Sequence, residues 1–144
     1  DDENKVSPID KFTPLYKNSK NIKIVQDAMF ASTNEVRGTS YRSRIDDTKY
    51  QFAGKTGTAQ VKKITERDRE LDLKTFQIPY EERDHALYIA YGPYKNPRYA
   101  VSILVEHGGN GSTTAAPMAK KLFKTIIDRH QLRESINNKK YLDI

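Results

Sequence analysis

The residues in this chain whose types and spacing could do chemistry are Lys55, Thr56, Gly57 and Thr58. They lie in Gly54-Lys55-Thr56-Gly57-Thr58-Ala59-Gln60, behind Tyr50, Phe52 and Ala53 and ahead of Val61. A strand's apolar/polar alternation therefore runs into the segment and out again. Two glycines so close together weaken a strand, because Gly costs conformational entropy and packs nothing. The usual reason to accept that cost is close approach of a ligand or another backbone. In an extended segment Thr56 and Thr58 point to one face. One compact cation, two hydroxyls and open N–H groups then suit a carboxylate or an oxyanion. A glycine-containing edge strand without a ligand explains these few residues equally well.

Gly54-Lys55-Thr56 also contains the end of a phosphate-cradling P-loop. That pattern needs a Gly at position 49, where Lys49 stands. It also needs a helix to begin at Lys-Thr, and Gly57 with Thr58 is a poor helix start. The P-loop is excluded.

The elements that must position this segment can be read along the chain. Residues 1–18 are polar with Pro8 and Pro14 and read as an extended arm. Asn18 or Ser19 caps a helix that ends near Thr33-Asn34, with Ile22, Val25, Ala28, Met29 and Ser32 as its core face. Residues 35–49 are a connection holding Arg37-Gly38-Thr39 and the basic stretch Arg42 to Arg44, read as solvated surface, with phosphate contact as the second choice. Strand one spans 49–61. A charge-dense insertion follows over 62–84, broken at Ile78-Pro79-Tyr80, and reads as a solvated or lid-like segment. Strands His85 to Tyr91 and Tyr99 to Glu106 flank a turn-rich link, and their nearly all-apolar content predicts cover on both faces. Gly108, Gly109 and Gly111 form a turn, and Ser112, Thr113 or Thr114 caps a last helix with Pro117 in its first turn. Residues 131–144 read as a fraying polar tail. The order predicts an α+β fold, an antiparallel sheet flanked by helices.

Composition narrows the classes. The chain has 144 residues, enough for one domain, with 36% hydrophobic and 31% charged residues. The formal net charge of +6 admits an acidic partner such as nucleic acid or an anionic polymer, and a basic binding module is the alternative reading. Tyr41, Tyr50, Tyr80, Tyr94 and Tyr99 could stack on bases in that case. The basic residues are not striped, however, and no nucleic-acid motif is present. There is no Cys, and His85, His107 and His130 lack ligand spacing, so no metal or other cofactor is expected. No apolar run approaches the ~20 residues that span a bilayer.

Taken together, the motifs resemble the C-terminal part of a class B penicillin-binding protein transpeptidase domain, most like the elongation-type penicillin-binding protein 2. The resemblance runs through Arg37-Gly38-Thr39, Ala53 to Gln60, His85-Ala86, Ala90-Tyr91-Gly92-Pro93, Asn96-Pro97, Ala100-Val101, Val105 to Gly109 and Ala115-Ala116-Pro117. These stretches cover residues 20 to 130 in order and are far more specific than a lone Lys-Thr-Gly.

The resemblance implies an incomplete piece of the penicillin-binding and serine β-lactamase-like fold, with residues 19–130 as its C-terminal part. It implies acyl transfer: a Ser attacks a peptidoglycan stem peptide, and β-lactams acylate the same Ser. Lys55 would hold the substrate carboxylate and the proton network. Thr56 and Thr58 would bind that carboxylate, Gly57 would let substrate lie on the strand, and the Thr58 N–H would form half of the oxyanion hole. The family also needs Ser-x-x-Lys, which occurs nowhere in the 144 residues, and Ser-x-Asn. Ser19-Lys20-Asn21 and Ser135-Ile136-Asn137 match the latter string by chance, out of place relative to Lys-Thr-Gly. The chain alone is therefore expected to be inactive, with the upstream part of the domain as its partner.

The nucleophile-bearing helix would cover part of the sheet. Some ~400 Å² of bare apolar surface forfeits about 10 kcal/mol, so self-association of the isolated chain is expected. The family further implies the periplasmic face of the bacterial inner membrane, an anchor outside this chain and a lipid II-polymerising glycosyltransferase as partner.

Overall fold

The structure is a computed structural model that describes residues 15–63, 66–71 and 73–142. The arm assigned to residues 1–18 lies mostly outside the described residues. Helix α1 spans Ser19–Asn34, and the Asn18 side chain caps it by accepting from the Lys20 N–H at 2.9 Å. Three strands follow, β1 over Ala53–Ala59, β2 over His85–Gly92 and β3 over Tyr99–Val105. They form one antiparallel sheet in the order β1-β2-β3. A short helix α2, Glu66–Leu71, lies in the charged insertion, and helix α3, Ala115–Leu142, closes the chain.

Register explains the core. Thr56 pairs with Tyr88 and Tyr88 with Ile103, so these side chains share one sheet face with Ala86, Ala90 and Val101. Helix α3 covers that face with Ala115, Ala116, Ala119, Phe123 and Ile127, all buried. The Phe52 and Phe123 rings stack with centroids 4.9 Å apart. Small alanines on both α3 and β2 let helix and sheet approach closely.

A polar node lies inside this core. The Tyr88 hydroxyl is 2.9 Å from Thr33 Oγ1 and 3.1 Å from Ser40 Oγ. Thr33 Oγ1 also accepts from the Gly54 N–H at 3.0 Å. The end of α1, the following loop and two strands thus meet at one buried cluster. Gly54 makes room for it: a Cβ there would sit 2.5 Å from Tyr88 Cζ.

Several expectations need correction. The apolar stripe of α1 is not a core face: Val25 and Ala28 are exposed, Ile22, Met29 and Ser32 are half-buried, and Thr33 alone on this helix is buried. The last turn of α1 docks beside the sheet through polar contacts of Thr33 with Gly54 and Tyr88 and through the Asn34 amide, which donates to the Phe52 carbonyl. Strand β1 is shorter than 49–61, because Lys49 and Tyr50 bond to Asp128 of α3 and leave the sheet. Strands β2 and β3 are covered on one face only, and Ile89 and Leu104 are 52% and 57% exposed on the other. The stretch read as a fraying tail is helical as far as the structure describes it: α3 continues through Leu142. Glu134 there bonds Arg98 at 3.0 Å and His130 at 2.9 Å, which fastens this extension to the β2–β3 link. Polar composition reflects exposure on a helix as readily as a loop.

Burial pushes the Tyr88 phenol above its ordinary value of 10.0, against the opposite pull of hydrogen bonds with Ser40 and Thr33. Above pH ~10 the unfolded chain releases this proton while the folded chain retains it. Stability is therefore full below that pH and falls as pH climbs toward the folded-state value. Tyr88→Phe should cost ~1–2 kcal/mol at neutral pH, from hydroxyls that lose a partner. It should also flatten the alkaline decline. Denaturant midpoints of both proteins across neutral to alkaline pH test this, and parallel declines would contradict it.

Candidate active-site strand

Strand β1 is an edge strand, bonded to β2 on one side and open on the other. The Thr33 hydroxyl accepts from the Gly54 N–H at 3.0 Å and lies 3.3 Å from the Gly54 carbonyl, so both Gly54 groups face the outer edge. Main-chain groups alternate in direction along an antiparallel strand. The N–H and C=O of Thr56 and Thr58 therefore also face outward. Lys55 Nζ donates to the Thr56 carbonyl at 2.8 Å, in keeping with that direction, and to Thr56 Oγ1 at 3.1 Å.

The four sequence-predicted residues occupy one short stretch of this edge. Thr56 is half-buried opposite Tyr88, and Thr58 is exposed opposite Ala86, so the two side chains share a face as the alternation requires. Lys55 is exposed on the other face, opposite Ile89, and its side chain curls back over the edge to Thr56. Gly57 pairs with Leu87, and a Cβ at Gly57 would lie 3.3 Å from the Leu87 Cβ.

Two residues that sequence reasoning gave no role join them. Thr39 Oγ1 is 3.3 Å from Thr56 Oγ1 and 3.1 Å from Ser32 Oγ. A row of hydroxyls, Ser32, Thr39 and Thr56, therefore ends at the Lys55 ammonium. The turn at Gly38 aims Thr39 at the strand: Gly38 N–H donates to the Glu35 carbonyl at 2.8 Å and Ser40 N–H to the Ser32 carbonyl at 3.0 Å. The signal available in the sequence was Arg37-Gly38-Thr39 directly after a helix end. Beside this row lies a cleft of about 500 Å³ lined by Met29, Ser32, Arg37, Thr39 and Lys55. Arg37 and Lys55 stand on its wall together with the carboxylate of Glu35.

The other flank of the strand is backed by the glycine turn. A Cβ at Gly111 would sit 2.5 Å from the Leu87 carbonyl oxygen and 2.8 Å from that of Gly57, so only glycine fits against these main chains. His85 and His107, distant in sequence, meet at the end of the sheet. Their ring centroids are 4.9 Å apart, and the His107 N–H donates to His85 Nδ1 at 2.9 Å. Tyr80 of the insertion lies 5.0 Å from the His107 ring, and Gly109 N–H donates to the Asp84 carbonyl at 2.8 Å. The insertion is thus pinned to the same end of β1. His130 stands apart on α3, bonded to Tyr99. Among the described residues no three His, Cys, Asp or Glu side chains are grouped to hold a metal ion.

This arrangement can orient a carboxylate or a carbonyl oxygen along the strand edge. Ser40 and Ser43 are buried, Ser40 within the Tyr88 node, and so stand back from this edge.

Comparison with known proteins gives the same direction. The family model of the penicillin binding protein transpeptidase domain matches residues 15–127. Peptidoglycan D,D-transpeptidase MrdA of Salmonella typhimurium is 35% identical over 105 residues, 73% of this chain and 16% of the relative. The Haemophilus influenzae protein of the same name is 39% identical over 101 residues, 70% of this chain and 15% of the relative. The chain thus spans about a sixth of the length of these curated relatives. Among solved structures, penicillin-binding protein 2 of Helicobacter pylori, in complex with MreC, matches with TM-score 0.60 and 33% identity, over 83% of this chain and 20% of that one. Penicillin-binding protein 2 of Pseudomonas aeruginosa, in complex with WCK 5153, matches with TM-score 0.59 and 30% identity, over 82% of this chain and 23% of that one. The chain belongs to the penicillin binding protein transpeptidase domain family, on its penicillin-binding protein 2 side.

Proposed function

We propose that this chain forms one wall of a serine-type peptidoglycan D,D-transpeptidase site and works only with further parts of the same domain. The observation that carries the reading is the outward-facing edge of β1, where Thr56 and Thr58 main-chain groups stand beside the Ser32–Thr39–Thr56–Lys55 row. A stem peptide or β-lactam laid along this edge meets donors for its carboxylate at Thr56, Thr58 and Lys55. The Thr58 N–H would hold the developing oxyanion, a contribution worth ~10²–10³ in rate where such a donor has been removed elsewhere. Gly57 leaves the strand open for that approach.

The nucleophile comes from outside these 144 residues, since Ser-x-x-Lys is absent from them. Its helix would cover the sheet face that exposes Ile89 and Leu104. Without it, that face favours self-association of the isolated chain. The action is at the periplasmic face of the inner membrane, with an anchor elsewhere in the protein. No helix among the described residues is long and apolar enough to cross a membrane. A lipid II-polymerising glycosyltransferase would supply glycan strands to such an enzyme. A protein of the MreC kind is a second partner, since the Helicobacter pylori relative is found in complex with MreC.

Two variants test the assignment in the intact transpeptidase. Gly57→Val adds a branched side chain where a single Cβ already lies 3.3 Å from Leu87, and blocks the strand edge. It should abolish acylation by a β-lactam, and unchanged acylation kinetics would count against the site. Thr39→Val removes the hydroxyl that steadies Thr56 and should slow acylation ~10-fold, the effect of ~1.4 kcal/mol lost from the transition state. Thr39→Ser should restore most of the rate, and equal rates for Val and Ser would exclude the hydroxyl row.

A further inference from the structure

A second concave surface shares no lining residue with the cleft beside the hydroxyl row. It is a groove of about 670 Å³ between residues 42–50 and the first turns of α3. Its floor is apolar, from Ile45, Tyr50 and Pro117, and Ser112 and Thr113 close one end. Four cations rim it: Arg42 on one wall and Lys120, Lys121 and Lys124 on the other. Arg42, Lys120 and Lys121 have no ion-pair partner among the described residues. The nearest acid on the lining is Asp47, and Arg44 is already committed to Asp46 at 2.9 Å. Unpaired cations that converge from two elements across an apolar floor repel one another, and an anionic occupant relieves that repulsion.

We propose that this groove binds an acidic segment of a partner protein, one that carries apolar side chains between its Asp and Glu residues. Charge complementarity selects the acids, and the apolar floor selects the hydrophobic groups between them. The volume lies within the usual range of recessed binding sites, ~300–1,000 Å³, and admits side chains. A flat bilayer surface cannot follow a concave floor. A nucleic-acid backbone would engage the cationic rim and leave the apolar floor unfilled. Nothing in this proposal depends on the transpeptidase reading. The occupant would rest against Ser112 and Thr113, directly after the Gly111 contact that backs β1.

The test is fluorescence anisotropy of the intact protein that contains this chain with a short synthetic peptide of alternating Glu and Leu, labelled at one end. Saturable binding is expected at Kd ~10–100 μM, the range of a small interface. It should weaken at least ~5-fold in Lys120→Glu/Lys121→Glu and on raising salt to about 0.5 M, where screening is nearly complete. Lys95→Glu, an exposed lysine on the β2–β3 link, should leave it unchanged. A peptide with Leu replaced by Ser should bind much more weakly. Circular dichroism melts identify any variant that fails to fold, and Arg42→Glu then replaces it from the other wall. Four results would overturn the proposal: no binding, equal loss with Lys95→Glu, equal binding of the Ser peptide, or tighter binding of a single-stranded oligonucleotide or phosphatidylglycerol vesicles with the same Lys120/Lys121 dependence.

Discussion

The structure depends on one buried hydroxyl cluster. Tyr88 comes from the central strand, Thr33 from the end of α1 and Ser40 from the loop behind it, and all three meet under Gly54. Buried hydroxyls are costly unless each finds a partner, and here they satisfy one another and the Gly54 main chain. The cluster fixes three things together: the distance between α1 and β1, the course of the Gly38 turn and the direction of the Gly54 backbone. Everything the candidate site needs follows from those three. With the outer-edge groups of Gly54 occupied by Thr33, alternation leaves those of Thr56 and Thr58 facing the open edge. With the Gly38 turn fixed, Thr39 lies beside Thr56.

This arrangement also separates holding from acting. The groups that tie β1 in place, Gly54 and Thr33, are buried, while Lys55 and Thr58, one and four residues on from Gly54, are exposed. The glycine turn performs the same service from the other side, since Gly111 lies against the carbonyls of Gly57 and Leu87. A strand with two glycines would be a weak element by itself. Support from both flanks makes it rigid enough to present a ligand edge.

Much of this was legible in the sequence, and the limits have physical causes. The α+β order, the strand around Lys55 and the shared face of Thr56 and Thr58 follow from period-two patterning, which is local. The cap of α1 at Asn18 is likewise local. The hydroxyl row was not legible, because Ser32 and Thr39 are ordinary polar residues until a turn brings them to β1. The apolar stripe of α1 misled, since a 3.6-residue period reports that a helix has a face but not what covers it. Apolar β2 and β3 predicted cover on both faces, and α3 provides it on one. The polar end of α3 read as a tail because its ties to Arg98 come from a distant turn.

The central claim is that these residues hold one wall of an acyl-transfer site whose serine lies elsewhere in the protein. Intact mass after incubation with a β-lactam tests it most directly, on this chain and in parallel on a longer form of the protein that includes Ser-x-x-Lys. The account predicts a covalent adduct on the longer form and none on this chain. An adduct on this chain would place a nucleophile within its 144 residues and contradict the account. A folded longer form that takes no adduct would contradict it equally.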